Sequence, residues 1–248
     1  MTKSKILFLV ALIVFSIALG VTLHYKRVEE QKQIELQRQL EAQRKWAAEY
    51  PTLYLKNGNY SVQIGMYELY DTHRTEIVML GNSHTYLANW NEILKRKSIV
   101  NRGIVSDVTA GYLHRLKYVY NLKPRICFLE GGVNDIYANY KLNDIMKHFR
   151  LILDTLDLYK IKPVLSSTFF VSKQWPHSVE KNKEIKQLND SLISLCTERN
   201  VVFLNVNPLI AKDDFLRDEL TYDGIHLNAI GYSAWAPLID SVLKKNGM

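Results

Sequence analysis

From Glu76 onward the chain repeats one pattern: a short apolar run, then a segment with helix periodicity. The apolar runs are EIVMLG (76–81), SIVNRGI (98–104), RICFLEGG (125–132), KPVLSSTFF (162–170) and VVFLNV (201–206). Helical patterns separate them, the clearest over 142–160, where Ile145, Phe149, Ile152, Leu153 and Leu156 share one face. Runs apolar on both faces are strands covered on both sides. Strands alternating with helices must be joined by right-handed crossovers. The predicted fold is therefore α/β, in three layers, with helices on both faces of a central parallel sheet of about five strands. Further helices are predicted over 109–122, 178–199 and from Leu227 to the C-terminus, where Pro237 should kink or restart the last one.

The first fifty residues differ from this body. Residues 1–5 form a short basic tail, and residues 6–23, ILFLVALIVFSIALGVTL, contain no charge. About 20 apolar residues suffice to cross a bilayer as a helix. A membrane anchor is the expectation, with a cleaved secretion signal as the alternative. Either targets the chain to a membrane; Lys3 and Lys5 before the segment and Lys26 and Arg27 after it leave the orientation undecided by charge, and a short tail in the cytoplasm with the body exported is the expectation. Residues 24–50, rich in Glu, Gln, Lys, Arg, Leu and Ala, read as a solvated helical stalk. A coiled-coil contact through this stalk is the one self-association the sequence offers. The remaining domain spans 51–248. At its start, NYSVQIGMYELYD reads as a helix whose Val62, Met66 and Leu69 pack on the domain.

Net charge is +7, of which +4 falls on residues 51–248 without any dense basic tract. That argues against a nucleic-acid partner. Cys127 and Cys196 lie in apolar contexts and read as small buried hydrophobes. Neither they nor the scattered His24, His73, His114, His148 and His177 have metal-ligand spacing, so no metal and no cofactor is expected. Of the four tryptophans, Trp90 and Trp175 follow strand ends and are the better candidates for lining a site, against simple packing.

In an open parallel sheet the residues after each strand gather at one edge, and ligands bind there. Ser83 follows the first strand, Gly103 the second, and GGVND, with Asn134, the third. Asp223 and His226, in YDGIHLN, precede the last helix. These are the parts acyl transfer needs: a serine nucleophile, a histidine base, and a carboxylate to hold its tautomer. The oxyanion needs fixed donors, for which the backbone N–H groups of Ser83 and Gly103 and the Asn134 amide are the candidates.

These four segments resemble the blocks of the SGNH (GDSL-type) hydrolase family. GNS corresponds to the serine block, NRGI with SDVTAGYL to the glycine block, GVND to the asparagine block and DGIH to the Asp-His block. The chain departs from the family at Asn82, where Asp is common, and at HLN, where His-Pro-Asn is common; His84 has no assigned role. The resemblance implies a three-layer, flavodoxin-like fold and a serine esterase that removes acyl groups, acetyl first, from a carbohydrate or lipid-like substrate. The same triad would also serve a membrane-tethered O-acyltransferase acting on a glycan. A non-catalytic scaffold is the third reading, against which the intact Ser, Gly, Asn, Asp and His argue.

Overall fold

A computed structural model describes residues 52–248 and, before them, residues 15–17, 19–31 and 34, which are helical. The chain divides into two units, Met1–Glu49 and Tyr50–Met248. Most of the stalk and the first half of the expected anchor lie outside the described residues. Among the described residues no helix is long and apolar enough to cross a membrane.

The second unit is built on five parallel strands, β1 (Ile77–Gly81), β2 (Ile99–Gly103), β3 (Ile126–Leu129), β4 (Lys162–Ser166) and β5 (Val202–Leu204), in the order β2-β1-β3-β4-β5. The predicted α/β sheet is present with its five strands. Side chains alternate between two cores. Val78, Leu80, Cys127, Leu129 and Leu165 enter one, with the Leu142–Leu158 and Ser178–Arg199 helices. Ile77, Met79, Ile126, Phe128 and Val164 enter the other, with the C-terminal helix Ala229–Lys245. Strand order reverses between β1 and β3, so a crevice opens at their carboxyl ends. Cys127 and Cys196 are buried and free.

Three expectations need correction. The Gly58–Leu69 helix does pack on the domain, but through Tyr60 and Tyr67, whose hydroxyls donate to the Gly111 and Gly103 carbonyls at 3.4 and 3.0 Å. Val62 and Leu69 instead face solvent, 68% and 77% exposed. Tyrosine wins this face because it supplies both apolar area and a donor for buried carbonyls. The helix expected over 109–122 is two, Thr109–His114 and Lys117–Tyr120, broken at Arg115. The C-terminal helix is continuous through Pro237, which is exposed, so the carbonyl it leaves unpaired can bond to water. A small hairpin, β6 (Ala211–Lys212) with β7 (Phe215–Leu216), was not legible; Asp213 and Asp214 turn it at φ +53° and +61°, a conformation Asp tolerates.

Candidate active site

β1 ends at Gly81, and Asn82 caps a single helical turn, Ser83–Tyr86, by accepting the His84 N–H at 2.9 Å. Capping needs only a side-chain oxygen, so Asn serves here as Asp would. The turn leaves the Ser83 hydroxyl at the sheet edge. His226 Nε2 stands 2.9 Å from Ser83 Oγ, and His226 Nδ1 stands 2.6 Å from Asp223 Oδ2. The structure thus brings together the three residues expected from sequence to form the triad, in hydrogen-bonded order.

The loop bearing Asp223 and His226 is tied to itself. Asp223 Oδ1 accepts the N–H groups of Ile225 and His226 at 3.0 and 2.8 Å. The Thr221 hydroxyl donates to the His226 carbonyl at 2.6 Å and accepts the Gly224 N–H at 2.9 Å. Gly224 sits at φ +97°, where a side chain would be strained and would also meet Ser172. Burial works against ionisation of Asp223, yet its hydrogen bonds from the His226 side chain and from two backbone N–H groups prevail and hold its carboxyl below the usual range.

Asn134 lies in the single turn Val133–Tyr137 after β3. One of its amide hydrogens goes to the Asp107 carbonyl at 2.8 Å, which leaves the second free to donate elsewhere. Gly103 does something other than its expected role. Its N–H donates to Asn101 Oδ1 at 2.8 Å, and a Cβ there would fall 2.3 Å from the Tyr86 backbone nitrogen. Its smallness lets β2 pack against the serine turn. In the loop that follows, Ser106 holds φ +58°, and its N–H, like that of Ser83, has no acceptor among the described residues. Ser106 is not legible from sequence, because a serine does not signal a left-handed backbone.

A buried framework holds these turns together. The Arg115 guanidinium donates to Gly81 O, Arg102 O and Asp107 Oδ2 at 2.9, 2.6 and 2.8 Å. It therefore joins the ends of β1 and β2 to the Asp107 turn. Asp135 accepts the Thr109 N–H and hydroxyl, and burial pushes its carboxyl up to about 7 against those hydrogen bonds. His84, next to Ser83, is buried against Glu130. Of the tryptophans, Trp90 is core, edge-on to Trp235 at 4.9 Å, with its indole N–H on the Thr85 carbonyl. Trp175 is half-buried, beside the Gly224 turn. Among the described residues no cluster of His, Cys, Asp and Glu could hold a metal.

The profile of the GDSL-like lipase/acylhydrolase family matches residues 78–234, more than half of the chain. The chain belongs to this family. Solved GDSL folds superpose on it. A GDSL-like lipase from Bacteroides thetaiotaomicron, 22% identical, has a TM-score of 0.65 over 76% of this chain and 98% of its own. An acetyl xylan esterase, 20% identical, has a TM-score of 0.58 over 67% of this chain and 98% of its own. Among curated proteins, an N-acylneuraminate cytidylyltransferase from Streptococcus agalactiae serotype V is 28% identical over 99 residues, 40% of this chain. The chain spans only 23% of that relative's length. Membership in the GDSL-like family makes an acylated substrate the general expectation for this crevice.

Proposed function

We propose that this GDSL-like protein is a serine esterase that removes acyl groups, acetyl first, from a carbohydrate or lipid-like substrate. The observation that carries the proposal is the unbroken row Ser83 Oγ, His226 Nε2, His226 Nδ1, Asp223 Oδ2, at 2.9 and 2.6 Å. In this reading His226 takes the Ser83 proton as Oγ attacks the ester carbonyl carbon. The Ser83 N–H, the Ser106 N–H and the free amide hydrogen of Asn134 receive the oxyanion. His226 then gives the proton to the departing alcohol. Water then attacks the acyl carbon as His226 takes its proton, and His226 returns that proton to Ser83 Oγ as the bond to the acyl group breaks and the acid leaves. Asp223 keeps Nδ1 protonated and balances the imidazolium between the two transfers.

A carbohydrate carrier is favoured over a lipid by two similarities. The fold is shared with a protein described as an acetyl xylan esterase, and the matched relative is named for an acylated sugar, N-acylneuraminate. The uncharged stretch 6–23 supports a location at the outer face of a membrane. Hydrolysis of p-nitrophenyl acetate and of an acetylated sugar by the full chain, beside Ser83→Ala, tests the reading. Loss of both activities in the variant is expected; a Ser83→Ala protein as active as wild type contradicts it. A sugar acceptor that accelerates acyl loss from the enzyme would redirect the proposal toward transfer.

A further inference from the structure

Behind the Ser83–His226–Asp223 row lies a second histidine–carboxylate pair that the proposed reaction does not use. His84 follows the serine directly, yet its ring turns inward, and its side chain and that of Glu130 are each 1% exposed. His84 Nε2 lies 2.9 Å from the carbonyl oxygen of Ile225, the residue before His226. A carbonyl oxygen can only accept, so Nε2 carries a hydrogen. Nδ1 faces Glu130 Oε2 at 3.5 Å, an ion-pair distance. Neither Glu130 oxygen has a hydrogen-bond donor among the described residues. A bare Nδ1 against an ionised carboxylate would oppose two acceptors and strand a charge out of water, both unfavourable. One proton between them removes both faults.

We propose that His84 and Glu130 together hold one proton between Nδ1 and Oε2, and that this neutral pair positions the Ile225–His226 backbone over Ser83. The proposal rests on the reading of Ser83 and His226 as the reacting pair. The two possible forms, imidazolium with carboxylate and imidazole with carboxylic acid, have the same net charge and the same clamp on Ile225. Each partner comes from a different segment: Glu130 from the end of β3, His84 from the turn after β1, Ile225 from the loop before the last helix. The titratable groups around the pair are few. Asp223 and His226 face it from the loop, the His226 ring at 5.7 Å, and Asp223 is committed to His226. The Tyr232 hydroxyl donates to the His84 carbonyl at 2.7 Å, and Tyr112 faces Glu130. Phe169 covers the ring at 5.0 Å. Glu130 is therefore the partner for Nδ1. Burial alone would discourage a charged His84, but the Glu130 carboxylate and the Ile225 carbonyl more than offset it and move its pKa upward. Losing the proton leaves an unbalanced negative charge behind His226 and slackens the clamp, so activity falls on the alkaline side.

The test is a proton–nitrogen spectrum of the full chain with labelled histidines, His84 assigned through His84→Gln. The expected result is a protonated Nε2 together with an Nδ1 that is protonated or hydrogen-bonded at neutral pH, and whose signal moves in Glu130→Gln. A bare Nε2, or an Nδ1 signal indifferent to Glu130→Gln, overturns the proposal. Kinetics supply the second readout. Glu130→Leu, which removes the partner, should lower kcat by about 10- to 100-fold, the scale of a misplaced catalytic group, with little change in KM. Glu130→Gln, whose amide can still donate to Nδ1, should recover part of that loss and shed the alkaline fall. Equal kcat and equal pH profiles in wild type and Glu130→Leu overturn the positioning role. The spectrum is read on resting protein. A protonated pair in a protein without esterase activity would thus refute the functional reading alone, and an active protein lacking the pair would refute this inference alone.

Discussion

Two histidine–carboxylate pairs lie within one site, and they are built in opposite ways. Asp223 and His226 are 2.6 Å apart, 33% and 23% exposed, and the carboxylate also accepts two backbone N–H groups. Glu130 and His84 are 3.5 Å apart, almost wholly buried, and the carboxylate accepts from no donor among the described residues. The first environment stabilises a carboxylate whether or not its histidine is charged, as the proposed proton relay requires. The second stabilises neither partner alone, so the two share one proton. Burial and the supply of donors, rather than residue type, separate the two pairs.

The largest expected effect breaks the first pair. Asp223→Asn should lower kcat by about 10³- to 10⁴-fold with the fold intact, because the amide favours the wrong imidazole tautomer; steady-state ester hydrolysis checks it. Next comes the frame that both pairs share. Arg115→Met removes the charge partner of the buried Asp107 carboxylate and one donor from each of two strand-end carbonyls, and should cost about 3–5 kcal/mol in a urea titration.

A third carboxylate calibrates the comparison. Asp135 is buried like Glu130 but has the Thr109 donors, and its folded pKa of about 7 lies above the ordinary Asp value near 3.9. The native state then binds a proton more tightly than the unfolded chain does. This group's contribution to stability is full below about pH 4 and lost as pH rises to about 7. Asp223 has the opposite sign: its folded pKa is lowered, so its contribution is present above the ordinary value and is lost as pH falls through the folded one. Asp135→Asn should flatten the stability profile between about pH 4 and 7, where one group can contribute at most about 1.4 kcal/mol per pH unit. Urea midpoints across that range measure it. The smallest effect is expected far from either pair: Val62→Ser on the exposed face of the Gly58–Leu69 helix should change stability by no more than about 0.5 kcal/mol.

The strands were legible because a buried parallel sheet writes itself as continuous apolar runs; the expected 76–81 and 98–104 correspond to Ile77–Gly81 and Ile99–Gly103. The Ser178–Arg199 helix was legible to its ends. Within the site, residues carried by a single turn or loop were placed from sequence: Ser83 and Asn134 follow their strands, and Asp223 and His226 share the loop before the last helix. What escaped sequence reading were contacts that no motif signals. Glu130 looked like the last residue of a strand, and its partner is 46 positions away across the sheet. Tyr60 and Tyr67 hid behind a more conventional apolar spacing at Val62, Met66 and Leu69. Gly103 carried the expected residue type, but only the fold reveals that Asn101 takes its N–H and that Ser106 holds the left-handed turn.

The most direct measurement is covalent labelling of the resting protein with a fluorophosphonate, read by mass spectrometry. An activated serine predicts a single adduct on Ser83, abolished in His226→Ala. A folded protein that takes no label, or takes it at another residue, would contradict the account.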